Sequence, residues 1–274
     1  MFDAVLLFRE ALYGTLVIAV ACSVLGVYVV LRRIVFVGAA LAQLSSAGIA
    51  LALWLSGQGI LLSVSSHPIA FALLLTIAGV LFFGSGAGRS PIPPDATIGV
   101  TYAVAAAAGI LLISKASVGE AHDIFLQGNI LGITRTDTLV LIGTAIPVLL
   151  AHAIFYKEFL FISFDRETAR TLGFKVDFWN YFLYLTLGLV IAFAMQFAGV
   201  MLVFNFLVLP AVTGLLIARS MAGTFAWSII AALVAAIIGF SLSVPFDLPS
   251  GPAIIAVSGV LTMLAFLVRM AQRR

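Results

Sequence analysis

The sequence predicts an all-α polytopic membrane protein with about nine transmembrane helices, eight at the fewest. Three observations predict it. Of its 274 residues, 63% are hydrophobic and only 9% are charged, against about 25% charged in soluble domains. The mean hydropathy is +1.24. Between Arg33 and Arg89 there is no Asp, Glu, Lys or Arg, which leaves room for two spans of about 20 apolar residues. This composition excludes a soluble enzyme, a disordered tail and a nucleic-acid-binding domain. A net charge of +3 is too small to draw a polyanion. Residues 1–274 read as one transmembrane domain, with no second soluble unit long enough to fold alone.

The opening segment to Tyr13 reads as an amphipathic helix at the interface, with Arg9 and Glu10 at headgroup depth. It has neither a basic n-region nor a small-residue cleavage site, so it does not read as a removed signal peptide. Spans are expected near 11–31, 36–55, 67–84, 96–114 and 138–156. Ser56-Gly57-Gln58-Gly59 and Ser65-Ser66-His67-Pro68 punctuate the second and third. The block 180–218 is too long for one helix and is divided near Gln196–Gly199; a re-entrant piece there would reduce the total to eight. The last two lie near 224–244 and 252–269.

The basic residues orient the chain. With the N-terminus outside, Arg32, Arg33, Arg89, Lys157, Arg166, Arg170, Lys175, Arg219, Arg269, Arg273 and Arg274 fall on one side, and Arg9, Lys115 and Arg135 on the other. That is eleven against three. The bias supports an odd number of crossings and a cytoplasmic C-terminus.

One charged island interrupts the apolar sequence. Lys157 to Asp177 holds eight charged residues in 21 positions. Asp165 is placed to cap a short helix from Arg166 to Leu172, which Gly173 would end. Phe164, Ala169 and Leu172 supply its apolar contacts. The island reads either as a solvated loop carrying topology signals or as a docking helix, and the capped turn with its Gly stop favours docking. A second amphipathic stretch, GEAHDIFLQGNILGITRTD, falls on the other side. There Asp123 would cap a short helix reaching about Gly128, and Thr136 or Asp137 the next span. Ile124, Phe125, Ile130 and Leu131 suit the interface. This stretch reads equally as a static cover or as a gate.

No Asp, Glu, Lys or Arg lies near the middle of any span, which weighs against a charge-coupled secondary carrier. The polar residues at depth are Gln43, Ser45, Ser46, His152, Gln196, Asn205 and Thr213, each needing a partner or a wet cavity. Gln43 to Gly48 reads as close helix packing or as a pore lining. Asn205, five residues before Pro210, either bonds across helices or lines a path. His152 reads as a satisfied histidine near a span's end rather than a ligand. Cys22, the sole cysteine, reads as a small core residue. His67, His122 and His152 have no metal-site spacing. Asp95 and Asp247 read as residues that cap or orient helix ends, with no transport chemistry. Ser45-Ser46 is no nucleophile elbow, and no P-loop is present.

Five segments, in order and at matching intervals, resemble the zinc/manganese/iron-type ABC transporter permeases. They are LGVYVVLRRIVFVGAALAQ, PPDATIGVTYAVAAAAGILLIS, LQGNILGITRTD, KEFLFISFDRETARTLGF and DLPSGPAIIAVSGVL. The resemblance runs from about residue 15 to 268. It implies the ABC importer permease fold in a prokaryotic inner membrane and a homodimer of permeases. It further implies two cytoplasmic P-loop ATPase subunits and an extracytoplasmic metal-binding protein. ATP would be hydrolysed only on the partner, and no cofactor would be bound covalently. The segment at about 157–178 would be the coupling element, with Ser163, Phe164, Asp165, Arg166, Glu167, Ala169, Arg170, Leu172 and Gly173 meeting the ATPase.

The chain departs from this family at one place. Members commonly show Gly-Asp-Ala-Leu-Ser-His at the start of the second span; here the run is Gly38-Ala39-Ala40-Leu41-Ala42-Gln43. Ala39 and Gln43 stand where the family has Asp and His. No metal ligand carries over to either position, because Ala cannot ligate and a neutral amide is weak. Gln43, Ser46 and Asn205 remain the pore candidates. The expected function is permeation of a divalent ion of the zinc, manganese or iron class, powered in trans. The rivals are an ABC permease for a siderophore- or cobalamin-type chelate and an ATP-independent secondary carrier.

Overall fold

The computed structural model describes residues 8–58, 67–84, 93–115 and 130–272. The described residues form ten α-helices and one short 3₁₀ turn, with no strand among them. In chain order the helices are α1 (Arg9–Leu31), α2 (Val35–Gly57), α3 (Pro68–Gly84), α4 (Pro94–Lys115), α5 (Arg135–Ile154), α6 (Tyr156–Phe164), α7 (Arg166–Thr171), α8 (Val176–Ile217), α9 (Met221–Ser243) and α10 (Ser250–Ala271). The 3₁₀ turn Ile130–Gly132 precedes α5. Seven helices are long and apolar enough to cross a membrane, and α3 is a shorter apolar one. Helix is the expected answer for such segments, since hydrocarbon leaves backbone N–H and C=O groups no partner outside their own helix. Thr15, Thr76, Thr101 and Thr213 follow the same rule, each hydroxyl donating to the carbonyl four residues earlier.

Helices α1 and α2 are the most enclosed rods, and α8 packs on both of them and on α3, α9 and α10. Leu25, Val29, Leu41, Leu187, Ile191, Leu202, Phe206 and Phe240 fill the centre, all buried. Helices α4, α5 and α10 are peripheral and show apolar faces outward, including Val104, Leu111, Ile146, Leu150 and Leu264. Cys22 lies wholly buried in the core, as expected. Close helix approach depends on glycine: a Cβ on Gly26 of α1 would stand 2.0 Å from the carbonyl oxygen of Leu207 on α8.

Helix α8 runs for 42 residues, about 63 Å at 1.5 Å per residue, twice the hydrocarbon thickness. It is broken at Gly199, whose φ of 71° and ψ of 168° belong to a region essentially reserved for glycine. The break falls within the division expected near Gln196–Gly199.

Several local expectations are corrected. Helix α5 is capped neither by Thr136 nor by Asp137: Thr134 is the N-cap, and Asp137 completes a reciprocal capping box with it. Asp247 does not cap α10, which opens after Pro249 with no side-chain cap; Asp247 takes a left-handed φ of 50° instead. The island carries two helices rather than one, because the chain turns at Phe155 and restarts as α6. Ile130 is buried while Leu131 is exposed, so only one of the pair seeks the core. The expected helix from Asp123 to Gly128, together with His122, Ile124, Phe125 and Arg89, lies outside the described residues, as do Arg273, Arg274 and the side chain of Asp95.

Gly26→Ala is expected to force α1 from α8 and cost about 1–3 kcal/mol, the usual range for overpacking. Gly143→Ala, where nothing lies within 4 Å, should leave stability unchanged. Thermal unfolding of both variants in detergent, followed by loss of the monodisperse species, checks this.

Candidate functional site: a coupling segment and a line of unpaired polar groups

The island folds into a small self-terminated unit. The Asp165 carboxylate accepts from the Thr168 backbone N–H at 2.9 Å and from the Thr168 hydroxyl. These bonds hold its carboxyl below the usual carboxylate range. At the other end Gly173 takes φ 82°. Its N–H donates to the Arg170 carbonyl, and the Phe174 N–H to the Ala169 carbonyl, which is a Schellman stop. The expected cap and the expected stop are thus both present.

The unit has two faces. Inward, Ala169 is wholly buried and packs with Ile162 and Val176 beside Phe161 and Trp179. Outward, Phe164 is 62% exposed and Leu172 65%, amid exposed Arg166, Glu167 and Arg170. Phe164 and Leu172 thus lie mostly outside the chain's own packing, and of the three residues expected to supply apolar contacts only Ala169 is buried. Arg170 pairs with Asp177 at 3.0 Å across an exposed surface, a weak bond in water. Two large apolar side chains held out on a rigid, charged turn make a surface suited to a protein partner.

Behind this unit lies a joint that the sequence reading missed. Arg32, next after α1, donates from Nε to Ser163 Oγ at 2.9 Å and from Nη1 to Asn180 Oδ1 at 2.9 Å. Tyr28, one turn earlier, packs against His152, Phe159 and Phe225 at ring separations of 5.1, 5.6 and 5.1 Å. His152 is buried and stacks on Phe159 at 4.2 Å. Its Nε2 lies 3.0 Å from Thr186 Oγ1, and its Nδ1 has no partner. It is therefore half-satisfied and lies in an aromatic cluster, not in a metal site. The charged tally of the island drew attention to its acids and bases, whereas the joint is made by one arginine outside it and by neutral oxygens.

The pore candidates divide. Gln43 and Ser46 share one face of α2, both buried, and Gln43 Oε1 and Ser46 Oγ lack partners. Ser45 Oγ is likewise unpaired. Gly48 beside them does what the packing reading asks, with its Cα facing the Phe71 carbonyl of α3. Asn205 sits on the second arm of α8 and is tied to α10, donating from Nδ2 to Ser258 Oγ at 3.1 Å, while its Oδ1 is unpaired. Gln196 Oε1, three residues before the Gly199 break, is unpaired too. Buried polar atoms in native proteins nearly always have partners or water, and these five amide and hydroxyl oxygens on α2 and α8 stand out against that rule. Ala39 is buried one turn before Gln43. Among the described residues, no three His, Cys, Asp or Glu side chains converge. The last residue of the depth set, Thr213, bonds Thr262 at 2.9 Å, and in the last turn of α10 Arg269 donates to the last carbonyls of α8, Leu215 and Leu216.

Comparison with known proteins finds relatives along nearly the whole chain. Residues 5–269 match the profile described as the ABC 3 transport family. The manganese transport system membrane protein MntC of Listeria monocytogenes is 33% identical over 261 residues, covering 94% of this chain and 89% of that protein. The manganese import system permease protein ScaB of Streptococcus gordonii is 33% identical over 267 residues, covering 97% and 92%. Among solved structures, PsaBC from Streptococcus pneumoniae in complex with Fab superposes with a TM-score of 0.82 at 28% identity, covering 94% of this chain and 90% of that one.

Asp165→Asn is expected to weaken the cap of α7 and speed hydrogen exchange at the Thr168 amide, with the rest of the bundle unchanged. In the wild type the carboxyl is held low, so the cap is fully present above the ordinary carboxylate range. It is lost only as pH falls through the lowered value. Exchange at Thr168 should therefore rise on acidification in the wild type and be flat with pH, after correction for intrinsic exchange, in Asp165→Asn.

Proposed function

The chain belongs to the ABC 3 transport family, and from that premise we propose that it is the permease subunit of an ATP-driven importer of a divalent metal ion, manganese before zinc. The observation that carries this reading is the capped α7 turn with Phe164 and Leu172 held outward among charged groups. Such a surface suits a soluble ATPase. The seven long apolar helices, the shorter α3 and the division of α8 at Gly199 support a reading of nine crossings. With the N-terminus outside and the C-terminus cytoplasmic, α6 and α7 face the cytoplasm, where ATP is. A homodimer of this chain would take two P-loop ATPase subunits below and a metal-binding protein above. The relatives named for manganese support the order of metals.

The metal is cargo. On the proposed path it meets Gln43, Ser46 and Asn205, all neutral oxygen donors, which suit a hard ion in passage better than a soft ion at rest. Ala39 and Gln43 supply no high-affinity stop. Direction and energy then come from the partner: nucleotide-driven motion reaches α7, and the bundle opens to one side while closing to the other. The lack of carboxylates in the spans supports power supplied in trans. The neutral path also favours a second reading, a chelated metal as cargo, which uptake of free against chelated ion separates.

Two outcomes test the reading. Phe164→Ser with Leu172→Asp should leave the detergent-solubilised chain monodisperse, since both positions are exposed, but abolish co-purification of the ATPase encoded beside it; full retention would place docking elsewhere. Ala39→Asp with Gln43→His should make the chain retain divalent metal through gel filtration, measured by elemental analysis, where the wild type retains none. In proteoliposomes that pair should also slow Mn²⁺ uptake, because the ion would now pause.

A further inference from the structure

Arg32 is a cation with no anion. Its guanidinium is half-buried where the chain turns from α1 toward α2, and among the described residues no carboxylate receives it. The nearby acids are engaged otherwise, Asp165 in capping α7 and Asp177 with Arg170. Neutral oxygens hold it instead. Ser163 Oγ accepts from its Nε at 2.9 Å while donating to the Phe159 carbonyl at 2.6 Å. Asn180 Oδ1 accepts from its Nη1 at 2.9 Å and also from Arg166 Nη2 at 3.3 Å. Two guanidinium groups thus share one amide oxygen. The third nitrogen of Arg32, Nη2, is buried and has no acceptor.

A half-buried charge supported only by neutral acceptors adds little stability, and an apolar side chain would be easier to hold there. What it gains is connection. Ser163 ends α6, Arg166 opens α7, Asn180 lies in the first turns of α8, and Arg32 follows α1. One side chain therefore joins the coupling unit to the two rods around which the bundle is packed. The connection is directional, since a planar guanidinium fixes angles as well as distances. The free Nη2 leaves a donor ready to re-pair if the unit shifts against α1.

Resting on the permease reading above, we propose that Arg32 is the positioning residue that transmits movement of the coupling unit into α1 and α8, through Ser163 and Asn180, so that ATP hydrolysis is converted into transport. Arg32 bonds Ser163 and Asn180 behind the outward Phe164 and Leu172, and it is not among the oxygens proposed for the path. Its loss should therefore uncouple the complex rather than disassemble it.

The test uses the full complex with its partner ATPase in proteoliposomes, measuring Mn²⁺ taken up per ATP hydrolysed. In Arg32→Gln the complex should assemble and hydrolyse ATP while the ratio falls roughly tenfold, within the range over which single residues alter coupling. Arg32→Lys keeps the charge but loses the planar fork that fixes the angles to both oxygens, and should fall nearly as far. Ser163→Ala should lower the ratio alone and add nothing to Arg32→Gln. Asn180→Leu, which leaves Arg32 in place, gives a second route to the same loss should Arg32→Gln fail to assemble. An unchanged ratio in Arg32→Gln, or in Asn180→Leu where Arg32→Gln does not assemble, overturns the proposal and leaves the permease reading standing. A wild-type complex without ATP-dependent uptake overturns the permease reading and this proposal with it.

Discussion

Hydrocarbon offers no hydrogen bonds, and the architecture of this chain follows from that one deprivation. It makes every long segment a helix, turns threonine hydroxyls back onto their own backbone, and gives Arg269 the task of closing the last carbonyls of α8. It also gives meaning to the exceptions. Gln43, Ser45, Ser46, Gln196 and Asn205 hold buried oxygens without partners. In a soluble core such groups would be defects. Here they concentrate on α2 and on α8 about its break, so the same rule that explains the scaffold picks out where the scaffold departs from it.

The unit proposed to meet the ATPase on the cytoplasmic side works on opposite physics. Its order comes from local chemistry: a carboxylate cap at Asp165, a left-handed Gly173, and one wholly buried methyl at Ala169. That local closure frees Phe164 and Leu172 from any duty to the chain's own core. The unit is fixed to the bundle by the aromatic set of Tyr28, His152, Phe159 and Trp179, and by Arg32. It closes on itself by local bonds and is held to α1, α5 and α8 through these few side chains.

Much of this was legible in the sequence, and the limits have physical causes. Span positions follow from hydropathy, because burial of about 20 apolar residues is a large, contiguous signal. The cap at Asp165, the stop at Gly173 and the division of the long block at Gly199 are carried by residue types with few alternative uses. The cap of α5 went to Thr134 rather than to its neighbours because three adjacent hydroxyl or acidic residues satisfy the same pattern, and only backbone geometry chooses. Asp247 failed as a cap for the same reason. The outward turn of Phe164 and Leu172 depends on where α6 lies, and α6 was unforeseen since its apolar residues merge with the span before it. Arg32 was counted only as a topology charge. Its partners are 131 and 148 residues away, a pairing that no local pattern encodes.

The neutrality of the path has an electrical side. Moving one elementary charge through a membrane potential of 100 mV is worth about 2.3 kcal/mol. On the proposed route a divalent ion meets no carboxylate that could offset its charge or give up protons in exchange, so each passage carries two charges inward uncompensated. An inside-negative cell already pulls on such an ion. The burden of control then falls on closure rather than on capture: a momentary gap between the two gates would be a short circuit, and the partner's ATP would serve less to drag the ion through than to keep the two doors from standing open together.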